Sequence, residues 1–401
     1  MLKRLRINNF KSLLNFEFKP VGMNLIIGQN NAGKTNLCSA LRFLGLSSKY
    51  NLDNAMSYTL GERWNLTNFN VQDNSFIEIE MDCELMYEGE AVSFAYSLRL
   101  GTSNGKSTEA KSLNVEEERL TASGGPFAQT PLLENHKGKV KMLHEEGFVK
   151  GLANSPFYVT ARVPDNATML SQLYELENNP RAILFREFLR SWNYYNFSPD
   201  VLRQPNVKQD IDNDALAASG ANLSRALFTI HNEKPRIEKK LYEIVRLLEP
   251  RLEYFTFSSP DPEHVHLFIE DMAGHHLSAS SISDGTLRFI AMAYVIIMAK
   301  EQSHNVGFPP LAVIEEPENG LYVGHLKPLI EKIDVTGRCG QFFFTSHSPY
   351  FIDLFDSNIE GIHVVKSGHP SSVLVKPDPH EVERLLKEMP LGDMHFRDML
   401  K

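Results

Sequence analysis

Residues 28–35 read Gly-Gln-Asn-Asn-Ala-Gly-Lys-Thr and fit the pattern G-x-x-x-x-G-K-[ST]. Glycine spacing of this kind lets the backbone curl until successive N–H groups face one anion. A helix that starts at the loop's end adds its partial positive charge. The chemistry expected is phosphate binding. Gly28, Asn30, Asn31, Ala32, Gly33, Lys34, Thr35 and Asn36 would cradle a nucleotide, with Lys34 reaching its β- and γ-phosphates and the Thr35 hydroxyl ligating Mg²⁺. The bland alternative is a chance Gly-Lys turn. The short apolar run before the loop and the helical spacing of Leu37, Leu41 and Leu44 after it favour the phosphate reading.

Three further groups lie in the second half of the chain. Leu311-Ala-Val-Ile-Glu315-Glu316-Pro317 puts two carboxylates just past a buried strand, where ligands of open α/β sheets sit. In P-loop enzymes the first would serve magnesium and the second would polarise the attacking water. Ser283-Asp-Gly-Thr286 precedes a strongly apolar helix, so Ser283 fits an N-cap and Asp284 a first turn. With the Gly285 amide, that helix start is also an anion site, suited to a γ-phosphate held by another subunit. Gln341-Phe-Phe-Phe-Thr-Ser-His347-Ser-Pro349 ends a second buried strand in a histidine; alone it reads as a turn histidine satisfied by backbone, but its place relative to the other three motifs favours a hydrogen bond to the γ-phosphate.

These groups need a sheet to hold them. Leu2 to Ile7, Phe16 with Phe18, and Met23 to Ile27 read as strands. Ile77 to Leu85 and Val92 to Leu100 alternate on either side of Tyr87-Glu-Gly-Glu90, a hairpin in an antiparallel meander. Gly101 to Gly125 is polar and is expected to be a surface excursion. Phe157 to Thr160 is expected to return as a core strand. Met169 to Trp192 and Asn222 to Leu248 have helical spacing, Leu311 to Ile314 and Gln341 to Thr345 read as parallel-sheet strands, and a hairpin, Ile362–Val365 with Val373–Val375, precedes a last polar helix from Glu381. The expected fold is α/β: a discontinuous nucleotide-binding lobe, 1–165 with 270–401, combining a mixed sheet and an antiparallel meander, and an inserted, mainly helical lobe, 166–269.

Composition narrows the class. The chain has 401 residues, 42% hydrophobic and 23% charged, with a formal net charge of −9, so no overall basic field marks a nucleic-acid binder. Cys38, Cys83 and Cys339 lack pair spacing for zinc or a disulfide framework. No apolar run reaches the ~18 residues of a membrane span, and no signal peptide opens the chain. A cytoplasmic protein with no membrane role is expected.

In order, phosphate loop, Ser-Asp-Gly helix, acidic strand end and histidine strand end resemble the ABC-type ATPases of the RecF, SMC and OLD group, and more closely their stand-alone prokaryotic AAA relatives without a Toprim nuclease domain. Leu5 to Leu13 is similar to the family's opening strand, Ser283–Thr286 to the ABC signature, Leu311–Pro317 to Walker B, Asn319-Gly-Leu-Tyr322 to the D-loop, and Thr345–Pro349 to the switch-histidine loop. Weaker similarities lie at Tyr194, Asn196, Phe197 and Pro199 and at Ser219–Leu223. The resemblance implies two protomers sandwiching two ATP molecules. Each nucleotide would sit on Lys34 and Thr35 of one and be sealed by Ser283 and Gly285 of the other, with Glu315 on Mg²⁺, Glu316 on the water, His347 on the γ-phosphate, and Lys11 and Ser12 approaching from the first strand. Slow ATP hydrolysis, a homodimer or higher oligomer, and a regulatory role toward a partner effector (a nuclease or toxin), as in prokaryotic anti-phage defence, are the expectations. The alternative is a RecF-like DNA-repair ATPase gripping double-stranded DNA through Arg181, Arg186, Arg190, Arg236, Lys239 and Lys240. The chain departs from the family at Glu315, where aspartate is usual, at Asp284, where a glycine is usual, and at Tyr322. A Q-loop glutamine has no assigned position, since Phe157–Thr160, taken as the equivalent strand, leads to Ala161-Arg162. Only about fifty residues follow His347, too few for an OLD-type nuclease domain.

Overall fold

The computed structural model describes residues 1–61, 76–103, 112–124, 127–145, 157–173, 178–205, 215–261, 264–368 and 371–400. The chain opens with β1 (Leu2–Asn8), β2 (Phe16–Phe18) and β3 (Met23–Ile27), then α1 (Lys34–Ser47) and α2 (Leu52–Leu60). A meander comes next: β4 (Ile77–Tyr87), β5 (Glu90–Ser103), β6 (Ser112–Gly124), β7 (Phe127–His136), β8 (Lys139–Leu143) and β9 (Tyr158–Arg162). After it lie α3 (Met169–Gln172), α4 (Pro180–Arg190), β10 (Trp192–Tyr195), α5 (Pro199–Leu202), α6 (Leu223–Glu233), α7 (Pro235–Val245), β11 (Leu252–Asp261), β12 (His264–Asp271) and β13 (His276–Ser278). The last part holds α8 (Asp284–Val306), β14 (Leu311–Glu315), α9 (Val323–Ile330), β15 (Gln341–Ser346), α10 (Pro349–Ile352), β16 (Ile362–Lys366), β17 (Val373–Val375), α11 (Pro379–Leu385) and α12 (Leu391–Phe396).

Three sheets result. An antiparallel eight-stranded sheet runs β2-β1-β4-β5-β6-β7-β8-β9, and a three-stranded one runs β11-β12-β13. The six-stranded sheet, β10-β14-β15-β3-β16-β17, is parallel from β10 to β16 and carries the phosphate loop. Its central strands are buried on both faces, because alternate side chains enter two different cores. Ile26, Val313 and Phe343 pack toward α1 and the antiparallel sheet, while Leu25, Ile27, Ala312, Ile314, Phe342 and Phe344 pack toward α6, α7 and α8. Burial is nearly continuous along α8 from Leu287 to Ile297, as its uninterrupted apolar run requires.

Several local expectations give way. Most of the expected surface excursion at Gly101–Gly125 is strand: β5 runs on to Ser103 and β6 begins at Ser112, with 104–111 and 125 outside the described residues. The expected core strand near Phe157 is instead β9, the exposed outer edge of the antiparallel sheet. The single helix expected over Asn222–Leu248 is two, because Pro235 lacks the N–H that would continue the first turn and opens α7 instead. Met169–Trp192 likewise divides into α3 and α4, its residues 174–177 lying outside the described ones. The stretch 166–269 also contributes strands: β10 to the central sheet, and the hairpin β11–β12.

Behind β3, His363 on β16 is buried. Its Nε2 lies 3.2 Å from Asn24 Oδ1 and its ring meets Phe18 edge-on. Burial pushes its pKa down to about 3. The unfolded chain takes up a proton near pH 6.5, whereas the folded one stays neutral. The resulting stability is present above pH 6.5 and is lost as pH falls toward 3, by up to about 1.4 kcal/mol per pH unit. Urea titrations between pH 7 and pH 4 should show a steeper loss for the wild type than for His363→Gln; parallel curves would contradict this.

Candidate functional site

Gly28 leaves β3 at φ +152°, and a Cβ there would lie 2.1 Å from the Val365 carbonyl oxygen of β16. Gly33, at φ +112°, is equally constrained, since a Cβ would meet the Ser372 hydroxyl at 2.3 Å and the Ser12 hydroxyl at 2.9 Å. The loop between them bends back over the start of α1. Lys34 is less than one-tenth exposed, and its ammonium donates to the Gly28 carbonyl (2.6 Å) and the Gln29 carbonyl (3.1 Å). Burial lowers its pKa, opposed by Glu316 first among the carboxylates and then by Glu315 and Glu318. Thr35 is exposed. Asn36 Nδ2 donates to Ser12 Oγ (2.7 Å), which also accepts from Ser372 Oγ (2.7 Å), so the Lys11-Ser12 turn is knitted to the loop. Lys11 sits at φ 52°, and partial burial lowers its pKa.

The acidic strand end adjoins this loop. β15 lies between β14 and β3, with Glu315 opposite Thr345 and Ser346 opposite Ile27, so the ends of all three strands share one edge. Glu315 Oε2 accepts from the Tyr194 hydroxyl (2.7 Å), and Oε1 has no hydrogen-bond partner. Tyr194 comes from β10 beside it, under the Arg42 guanidinium at 4.7 Å. Burial, reinforced by Glu315, raises the pKa of both the Tyr194 phenol and the Cys38 thiol. Glu316 adopts φ 44°; its amide donates to the Thr345 carbonyl, Oε2 accepts from Asn319 Nδ2 (2.7 Å), and Oε1 lies 3.4 Å from His347 Nδ1. Glu318 is buried and its pKa is pushed up by that burial. It accepts from Ser346 Oγ through Oε1, while Oε2 has no partner.

The Ser-Asp-Gly segment begins α8. Ser283 Oγ accepts from the Thr286 amide at 3.1 Å, as an N-cap does, and stays exposed. Asp284 is paired with Arg203, which also donates to the Ile282 carbonyl (3.0 Å). Gly285 packs on the Gly320 carbonyl, where a Cβ would come within 2.8 Å, and Arg288 donates to the Asn319 carbonyl. The helix start is thereby bolted to the turn after the acidic pair. Among the described residues, no hydrogen bond links 283–286 to 28–36. Thus Lys34, Glu315, Glu316 and His347 meet at one sheet edge, whereas Ser283 and Gly285 make no hydrogen bond to the phosphate loop.

A family described as "AAA domain, putative AbiEii toxin, Type IV TA system" matches residues 144–353, just over half of the chain. The chain belongs to this AAA domain family. A second description, "AAA ATPase domain", matches residues 1–148. Among solved structures, this AAA domain is similar to an SMC head bound to the C-winged helix domain of ScpA: identity is 14%, 96% of this chain and 99% of that chain are covered, and the TM-score is 0.52. An SMC head domain from Thermotoga maritima gives 12%, 94%, 99% and 0.43, and one from Pyrococcus furiosus, bound to the C-terminal domain of ScpA, gives 11%, 96%, 98% and 0.48. The first of these likenesses shows a shared P-loop NTPase fold and nothing finer. No curated protein matches the chain at a significant level.

Sequence reasoning missed four side chains of this AAA domain. Tyr194 was legible only as part of a weak similarity, because nothing in its neighbourhood announces that β10 pairs with β14. Arg42 and Arg203 carry no local signal. Glu318 had one, a third carboxylate three residues past the first. The proposed DNA-gripping cluster loses Arg181 and Arg186 to burial, while Arg190 stays partly exposed. Arg181 is buried against the Tyr87 and Phe127 rings and Glu145, Arg186 donates to the Leu173 carbonyl, and Arg190 pairs with Glu187. Only Arg236, Lys239 and Lys240 on α7 are exposed. Among the described residues, no helix is long and apolar enough to cross a membrane.

Proposed function

We propose that this AAA domain hydrolyses ATP between two copies of itself and that the ATP-bound pair acts as a switch for a partner effector, a nuclease or toxin. The observation that carries the reading is what one copy gathers and what it leaves unused: one sheet edge brings together Lys34, Glu316 and His347, while the Ser283 cap is exposed and, among the described residues, bonds only within its own helix start. A second copy supplies the missing cover, its Ser283 hydroxyl and Gly285 amide closing over the γ-phosphate. Arg203 offsets Asp284 there, so the acidic residue does not repel the phosphate.

Within one copy, the loop amides of 28–35 take the phosphate oxygens, and Lys34 exchanges its two carbonyl partners for the β- and γ-phosphates. Lys11 and Ser12 flank the same loop. Glu316 accepts the proton of the attacking water, and His347, poised beside it, donates to the γ-phosphate. Thr35 and Glu315 suit magnesium: Glu315 keeps an unpartnered oxygen, and Cys38, three residues after Thr35 on the same helix face, lies against it. Magnesium, when bound, neutralises charge on the phosphate oxygens. The toxin system in the family description favours an effector as partner, and the burial of Arg181 and Arg186 argues against a DNA grip.

Sedimentation tests the pairing. The Glu316→Gln protein should double in mass on adding ATP and Mg²⁺, and adding Ser283→Arg should leave nucleotide binding intact but abolish the doubling. A monomer at saturating nucleotide overturns the proposal.

A further inference from the structure

We propose that Glu318 is a positioning residue for hydrolysis, holding the His347 turn against Glu316; this rests on the hydrolytic reading above. The chain of contacts is continuous. Glu318 Oε1 accepts from Ser346 Oγ, and Ser346 Oγ accepts from the Ser348 amide at 3.0 Å. Residues 346 and 348 bracket His347, so a single hydroxyl, oriented by one carboxylate, sets the turn that presents the imidazole. The other end of the link is equally fixed. Glu318 lies two residues after Glu316, in a turn closed by the Asn319 amide donating to the Glu316 carbonyl. That turn places Glu316 Oε1 3.4 Å from His347 Nδ1.

The burial of Glu318 argues for a role beyond filling space. A carboxylate more than nine-tenths buried with one oxygen unpartnered is costly unless something at the site needs it. An apolar side chain of similar size would close the same space without that cost, but it would release the Ser346 hydroxyl and with it the Ser348 amide. Lys34 and His347 are the cationic or protonatable groups that Glu318 faces electrostatically. Both belong to the proposed hydrolytic machinery and neither to the core.

The experiment compares Glu318→Met with Glu318→Gln, whose amide oxygen still accepts from Ser346. Without nucleotide, hydrogen exchange at the Ser348 amide should speed up at least tenfold in Glu318→Met and stay near wild type in Glu318→Gln. In steady-state hydrolysis, Glu318→Met should lower kcat on the order of tenfold with KM little changed, Glu318→Gln should recover most of that loss, and Glu318→Met should cost nothing further once His347→Ala is present. An unchanged Ser348 amide, or equal losses with and without His347, overturns the positioning role alone. A wild type with no turnover sinks the hydrolytic reading instead, and the exchange data still judge the link between Glu318 and the turn.

Discussion

Lys34→Ala is expected to weaken ATP binding on the order of a hundredfold, measured by calorimetry or a fluorescent nucleotide at fixed Mg²⁺. The ammonium is buried at the mouth of the loop and already surrendered most of its water on folding. Its present partners are neutral carbonyls of Gly28 and Gln29, so transfer to phosphate replaces two dipole contacts with charge-assisted ones. The three carboxylates nearby lose their counter-charge in the variant and then repel the triphosphate. Both effects act in the same direction. The fold should survive, because Gln29, Asn30 and Asn31 are exposed and leave the loop beside the freed carbonyls open to water. Unchanged affinity would mean that the nucleotide sits elsewhere.

The second large effect is on turnover. Glu316→Gln should lower kcat by roughly two to four orders of magnitude while ATP affinity stays within a few-fold, read by phosphate release beside direct binding. Glutamine keeps the length of the arm and can still accept from Asn319, and the backbone amide remains tied to Thr345, so the turn is preserved. The variant loses the proton acceptor and the negative charge beside Lys34 and His347, but not the shape of the turn. Equal turnover in the two proteins would transfer the base role away from this residue.

Much of this site was legible because its residues are consecutive. Gly28–Thr35 and Leu311–Pro317 each mark a strand end and the turn beyond it, since a run buried on both faces needs no partner information to be recognised. The Tyr87–Glu90 turn was equally local, with Glu88 and Gly89 both at positive φ in the structure. Pairing was the part that sequence could not supply. Trp192–Tyr195 is four residues long, too short for any periodicity, and only its hydrogen bonds to β14 reveal that it belongs to the nucleotide-carrying sheet. The Phe157–Thr160 run has the composition of a core strand yet lies at an outer edge, because composition reports what a strand tolerates and topology decides where it goes. Pro235 was a missed local signal rather than an unreadable one. Arg203 and Asp284 are 81 residues apart, and nothing nearer to either of them foretells the pair.

Tyr194 holds the Glu315 carboxylate, and five residues later the same chain enters α5, which is capped by Arg203, and Arg203 reaches the start of α8. If two copies pair as proposed, a shift of Glu315 on loading the site would pull on the segment that braces the start of α8. Equilibrium linkage runs both ways. Whatever work the loaded site performs on that brace, a protein gripping the brace performs, to the same number of calories, on the affinity for nucleotide.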